Sequence, residues 1–91
     1  MRIADPTSPR ITGATINGKK LLVSGEGFDR GAVITVDNTD LQTQNDAATP
    51  SVLLISKRGG KQIGRGQTVT IRVRNMDGTL SNEFAFTRSL D

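Results

Sequence analysis

The sequence from residue 68 to residue 74 reads Thr68-Val69-Thr70-Ile71-Arg72-Val73-Arg74. Its apolar side chains occupy every second position, and threonines and arginines occupy the positions between them. Successive side chains of a β-strand point to opposite faces, so this alternation predicts a half-buried antiparallel strand. Because no segment of the chain has a competing helical period, we expect an all-β protein.

Short β-rich runs separated by turn signals continue on both sides of this strand. Asn17-Gly18 favours a two-residue hairpin of type I′, and Asp77-Gly78 predicts a second hairpin. The predicted strands are 10–16, 19–25, 32–36, 52–56, 68–74 and 79–87, with a short edge strand near Leu41 inside the polar loop 37–50. About seven strands at this spacing are typical of an antiparallel sandwich of the immunoglobulin-like type.

The expected core combines the apolar positions of these strands. Phe28 is predicted to close one end of the sandwich, and all three phenylalanines are assigned to the interior. The run from Val52 to Ser56 is apolar on both faces, so the sequence does not determine which of its side chains point into the core. The predicted core residues are Ile11, Ile16, Leu21, Val23, Phe28, Ile34, Val36, Leu53, Ile55, Val69, Ile71, Val73, Phe84 and Phe86.

The chain of 91 residues has the length of one domain, since domains usually run from about 50 to 250 residues. The segment Asp5-Pro6-Thr7-Ser8-Pro9 places two prolines among small polar residues, so residues 1–8 are predicted to be a linker or a remnant of an expression start, with the domain over 9–91. No stretch approaches the roughly 18 apolar residues of a membrane span, so no membrane insertion is expected.

The residue types limit the chemistry that this domain is able to perform. Cysteine and histidine are absent, which removes thiolate ligands, the commonest metal ligand and the commonest general base. The glycines of Gly25-x-Gly27-x-x-x-Gly31 precede a β-rich run instead of a helix, and they predict a tight corner instead of a phosphate site. Asp37, Asp40 and Asp46 match no calcium-loop spacing. We therefore predict no enzyme activity, catalytic residue, cofactor or metal.

Several of these residues together resemble a known family. The most specific parts are the V-x-G-x-G-F corner that ends at Phe28 and the V-x-N-x-D-G…S-N-x-F-x-F pattern that begins at Val73. Their order over about 80 residues resembles that of the IPT/TIG domains, which are immunoglobulin-like modules. The resemblance implies a non-catalytic spacer or protein-interaction module of a larger bacterial surface or secreted protein. Its implied partners are proteins or neighbouring domains, and its implied location is extracellular or on the cell surface.

The charge distribution provides an alternative function. The net charge is +3, yet the stretch 47–76 contains no acidic residue and has a charge of +6, while the remaining residues sum to −3. Such a basic strip attracts phosphate, sulfate or carboxylate groups, which makes a polyanion or DNA-binding module the first alternative. The simpler interpretation is a solvated strand face beside a loop that discourages edge pairing. The candidate binding residues are Lys57, Arg58, Lys61, Arg65, Arg72 and Arg74.

A second alternative is a carbohydrate-binding accessory domain of a polysaccharide-degrading enzyme. The scarcity of aromatic residues argues against it, because sugar rings usually dock on exposed aromatic faces and all three phenylalanines are assigned to the core. The same scarcity argues against single-stranded nucleic acids, whose bases stack on aromatic side chains.

Overall fold

A computed structural model describes residues 9–89, and within them the protein consists of two four-stranded antiparallel sheets. The predicted all-β class is confirmed, with eight strands in place of about seven. The strands are β1 (Arg10–Asn17), β2 (Lys20–Glu26), β3 (Val33–Val36), β4 (Thr39–Asp40), β5 (Gln44–Asn45), β6 (Leu53–Ser56), β7 (Thr68–Arg74) and β8 (Phe84–Thr87). The first sheet has the order β1-β2-β6-β5, and the second has the order β4-β3-β7-β8. The predicted linker lies outside the described residues.

One hydrophobic cluster takes residues from both sheets. Leu21 and Val23 of the first sheet and Ile34, Ile71 and Val73 of the second are all completely buried. The alternation along β7 is confirmed, because Val69, Ile71 and Val73 are buried while Thr68 is exposed and the two arginines are half-buried. Phe28 is also buried, as predicted.

The assignment of Leu53 and Ile55 to the core is wrong. Both side chains are only half-buried, whereas Leu54 is completely buried. The reason is the register with β2, in which Val23 lies opposite Leu54. Directly opposed residues of an antiparallel pair share a face, so the inward-pointing Val23 places Leu54 in the core.

The other core predictions that fail concern edge strands. Ile16, Phe84 and Phe86 pack against the cluster but remain half-buried, because β1 and β8 are the outer strands of their sheets. The assignment of all three phenylalanines to the interior therefore holds fully only for Phe28. Four buried apolar residues were not predicted: Ala32, Leu41, Leu54 and Ile63. Leu54 belongs to β6, and the other three lie outside the strands.

The turns differ from the predicted ones in position. Asn17 belongs to β1 and pairs with Lys20, so the first hairpin turns at Gly18 and Lys19. Gly18 has a φ of +65°, whereas the φ of Lys19 is negative. A positive φ at the first turn residue only is the pattern of a type II′ turn. A second two-residue turn, Asp37-Asn38, joins β3 to β4 with φ values of +48° and +70°, as a type I′ turn requires.

The segment after β7 is less regular than predicted. Its turn contains Gly78 as expected, but the strand predicted over 79–87 begins only at Phe84, after a single bridge between Arg74 and Leu80. Backbone and hydroxyl groups of Ser81 bond to Val73, and this interrupts the regular pairing. The loop 37–50 contains β4 and β5, with the buried Leu41 between them, so the edge strand predicted near Leu41 is confirmed.

The two ends of the domain carry different segments. Arg10, at the start of β1, lies at the end that contains the corner 25–31 and the turn 75–78. The opposite end contains the Gly18-Lys19 turn, the connection between β6 and β7, and Arg88 after β8. The described chain therefore passes from one end of the sheets to the other.

Candidate anion-binding surface

The connection between β6 and β7 packs directly on the Gly18-Lys19 turn. It includes a short 3₁₀ turn, Gly59–Gln62, in which the amide of Gly60 donates a hydrogen bond to the carbonyl of Lys19 at 2.9 Å. A Cβ atom on Gly60 would lie 2.9 Å from that carbonyl oxygen, and one on Gly59 would lie 2.8 Å from the Cβ atoms of Leu21 and Ser56. The two glycines thus permit a close approach that no larger residue allows.

Arg88 fixes the same connection from the other side. Its guanidinium donates hydrogen bonds of 2.7 Å each to the carbonyls of Gly60 and Ile63. Ile63 is completely buried and anchors the segment in the core. Because backbone, guanidinium and apolar contacts all hold this segment, its charged side chains project from a defined position.

Five exposed cationic side chains come together here and form a surface that we call the basic end: Lys19, Lys20, Lys57, Arg58 and Lys61. Leu21 and Ser56 are the last pair between β2 and β6, and Lys20 and Lys57 are the residues that come next along the two segments. Within residues 9–89, none of the five forms an ion pair. Adjacent like charges repel, so an anion that binds between them relieves an unfavourable interaction.

The structure divides the six predicted binding residues into groups. Lys57, Arg58 and Lys61 belong to the basic end, and Arg65 is exposed in the loop that follows Ile63. Arg72 and Arg74 lie instead on the outer face of the second sheet, where each is paired with a carboxylate.

The pairing of Arg72 and Arg74 reduces their availability to a ligand. Arg72 contacts Glu83, and Arg74 donates to both carboxylate oxygens of Asp40, at 3.2 and 2.7 Å. The hydrogen bonds and charge of Arg74 lower the pKa of Asp40, and Asp40 in turn raises the pKa of Arg74. The outer face of the second sheet is therefore locally balanced in charge, in contrast to the basic end.

An open groove of about 600 Å³ adjoins the basic end. One wall is the segment from Thr39 to Gln44, and the other contains Ser56, Lys57, Arg58 and Gln62. Lys57 and Arg58 belong both to the groove and to the basic end. The side-chain amides of Gln42, Gln44 and Gln62 are exposed and make no hydrogen bond within residues 9–89. The groove thus combines unused amide groups with unpaired positive charge.

The three aspartates of the loop 37–50 serve local structure. Asp37 accepts a hydrogen bond from the amide of Thr70 at 2.9 Å, Asp40 is paired with Arg74, and Asp46 accepts from the Thr49 amide at 2.9 Å. Bonds from the backbone and hydroxyl of Thr49 lower the pKa of Asp46. In the described part of the chain, no group of three or more acidic side chains is arranged to hold a metal ion.

The corner 25–31 is held by a buried asparagine. Asn75 is 2% exposed, accepts a hydrogen bond from the amide of Asp29 at 2.9 Å and donates one to the carbonyl of Gly27 at 3.0 Å. The corner connects two strands, as its sequence predicts, and its backbone groups are used by the protein itself.

Sequence reasoning missed Lys19 and Lys20, because they lie far from Lys57 in the chain and outside the acid-free stretch 47–76. The three glutamines were also missed, since isolated polar residues in a loop give no signal. One signal in the sequence was usable: Gly59-Gly60 lies between cationic residues, and a glycine pair permits a close approach to another backbone segment.

No protein-family model, curated protein or solved structure matches this chain, so the comparisons assign it neither a family nor a relative. Over residues 9–89, no helix is long and apolar enough to span a membrane.

Proposed function

We propose that this chain is an immunoglobulin-like β-sandwich of the IPT/TIG type that acts as a non-catalytic spacer or protein-interaction module of a larger bacterial surface or secreted protein. The observation that carries the proposal is the position of Arg10 and Arg88 at opposite ends of the sheets. A chain that enters at one end and leaves at the other holds its neighbours a domain length apart, which is what a spacer requires.

The residues that carry the family resemblance support the proposal through their structural roles. Phe28 is buried beneath the corner, with its ring close to Gly25. Asn75 bonds that corner to the turn after β7, and Asn82 bonds to the backbone of β1. These contacts stabilise the end at which the chain enters, so a neighbouring domain attached there has a rigid support.

Distance measurement between spin labels tests the spacer geometry. The chain has no cysteine, so Arg10→Cys with Ser89→Cys introduces two labelling sites and nothing else that reacts. At about 3.3 Å per residue, the eight residues of β1 span about 26 Å. We expect a single narrow distance distribution at or above that length. A distribution centred well below it contradicts a spacer, and substrate turnover abolished by a single Asp or Glu substitution contradicts a non-catalytic module.

Polyanion binding is a second candidate function, and the unpaired charge of the basic end favours it. Electrostatic binding of this kind weakens steeply with salt, since it depends on the release of counterions. We expect a Lys57→Gln/Arg58→Gln variant to bind polyanions more weakly at low salt. The matched control is Arg10→Gln/Arg30→Gln, which removes the same charge from exposed residues at the opposite end. Equal affinities of the two variants would contradict the assignment to the basic end.

A further inference from the structure

We infer that the groove and the basic end together form one binding site for an anionic polysaccharide. The inference rests on the second proposed function, polyanion binding, and adds the class of ligand. A polysaccharide of this class presents hydroxyl groups and carboxylate or sulfate groups along one chain. The site presents groups complementary to both, in two adjoining parts.

The groove supplies hydrogen-bonding groups for the hydroxyls. The amides of Gln42, Gln44 and Gln62 each offer two donors and an acceptor, and none of these is used within residues 9–89. The Thr43 hydroxyl, by contrast, is engaged with the Leu41 carbonyl and the Ile34 amide, so it orients the wall. At about 600 Å³ the groove lies within the range of roughly 300–1,000 Å³ that is usual for ligand sites.

The basic end supplies the charge for the anionic groups. Lys57 and Arg58 line the groove, and Lys20 and Lys57 come directly after Leu21 and Ser56, the last pair between β2 and β6. Asp40 is the acidic residue of the groove lining, and its carboxylate is already bonded to Arg74. A ligand lying along the groove therefore meets unpaired positive charge as it reaches Lys57 and Arg58.

Other polyanions use only part of this surface. Duplex DNA without sequence recognition is held mainly by cations that neutralise its phosphates, so we expect the basic end to dominate its binding and the glutamine amides to contribute little. Stable binding to an anionic membrane combines apolar residues with cations, yet Val52, Met76 and Leu80, the exposed large hydrophobic residues of the described chain, lie towards the opposite end. An anionic polysaccharide uses both the charges and the amides. Its charged groups provide contacts in place of the stacking on aromatic rings, for which this chain has few residues.

The test compares a heparin octasaccharide with a short DNA duplex, each titrated into the 91-residue chain at two salt concentrations. A Gln42→Ala/Gln62→Ala variant removes two amides without changing the charge. The loss of two hydrogen bonds is expected to weaken heparin binding about tenfold, while DNA binding stays within about twofold. Lys57→Gln/Arg58→Gln is expected to weaken both ligands, and the Arg10→Gln/Arg30→Gln control neither. Thermal unfolding of each variant verifies that the fold is kept.

The outcomes separate this inference from the function on which it rests. If both ligands bind but the glutamine variant weakens them equally or not at all, the polysaccharide inference fails and polyanion binding stands. If neither ligand binds wild-type protein at low salt, polyanion binding fails and the polysaccharide inference fails with it. Selective loss of heparin affinity supports both.

Discussion

The side chain of Asn82 pairs with the backbone of Ile11 across 71 residues of sequence. The amide of Ile11 donates to Oδ1 of Asn82 at 2.8 Å, and Nδ2 of Asn82 donates to the Ile11 carbonyl at 3.3 Å. Asn82 thereby bonds to β1 as a neighbouring strand would, at the point where the pairing of β1 with β2 contains a bulge between Ile11 and Gly13. One side chain thus joins the first described strand to the segment that precedes the last one.

Removal of this side chain is expected to destabilise the protein. Asn82→Ala leaves both backbone groups of the buried Ile11 without their partner, and a lost hydrogen bond of this kind costs about 1–2 kcal/mol. Urea denaturation of the purified variant measures the change. Asn17→Ala is the control, since Asn17 is exposed at the end of β1 and its substitution should change stability by less than about 0.5 kcal/mol. Equal stability of Asn82→Ala and wild type would show that the pair contributes nothing.

The register of β6 leads to a second prediction, which concerns two adjacent leucines. Leu54 is completely buried opposite Val23, so Leu54→Ala is expected to cost about 2–5 kcal/mol. Leu53 is half-buried on the other face, and Leu53→Ala should cost about 1 kcal/mol. The same denaturation experiment ranks the two variants. A larger loss for Leu53→Ala would mean that β6 is displaced by one residue.

The alternation of apolar and polar residues predicted which side chains are buried in most strands. The prediction failed in the strand whose sequence does not alternate. In β7 the apolar and polar side chains alternate, so Val69, Ile71 and Val73 were assigned correctly to the core. In the run from Val52 to Ser56 no alternation exists, and only the pairing with β2 determines which face is buried. The Asp37-Asn38 turn was missed because it contains no glycine, the residue that most often marks a positive φ. Asp and Asn are the other residues that adopt positive φ most readily, and both do so here.

The candidate site was predicted less completely than the fold. Lys57, Arg58 and Lys61 were recognised from the acid-free stretch around them, because local charge is visible in sequence. Arg72 and Arg74 belong to the same stretch, but their carboxylate partners Glu83 and Asp40 come from other segments that the fold brings together. The neutralisation of Arg72 and Arg74 depends on tertiary contacts, and so does the presence of Lys20 in the basic end. A local sequence pattern contains no information on such contacts.

The close approach of Gly60 to the Gly18-Lys19 turn leads to a third prediction. In Gly60→Ala the new methyl group would lie 2.9 Å from the Lys19 carbonyl oxygen and 3.1 Å from Cγ2 of Ile16. Backbone has to shift to relieve this overlap, so we expect a loss of about 1–3 kcal/mol. Gly64→Ala is the matched control, because the nearest atom to its Cβ, the Gln67 side-chain oxygen, is 3.4 Å away. Thermal unfolding should show a lower Tm for Gly60→Ala alone, and equal Tm values would contradict the packing described.

The acid sensitivity of the protein is the fourth prediction, and it concerns three surface aspartates. Asp40 is bonded by Arg74, Asp46 by Thr49, and Asp77 by the hydroxyl and amide of Thr79; each partner lowers the pKa of its carboxyl below the usual 3.8. A carboxyl with a lowered pKa in the folded state stabilises that state above its unfolded pKa, and this contribution disappears as the pH falls through the folded value.

Stability is therefore expected to stay level between neutral pH and about pH 5 and to decline below about pH 4. In Asp40→Asn/Asp46→Asn/Asp77→Asn the three carboxylates are removed while side-chain oxygens remain to accept the turn hydrogen bonds. This variant should be less stable than wild type at neutral pH and should lose less on acidification, because it has fewer groups to protonate. Urea midpoints measured from neutral pH to about pH 2.5 compare the two slopes. A variant whose acid decline is as steep as that of wild type would show that these hydrogen bonds do not determine the acid limit.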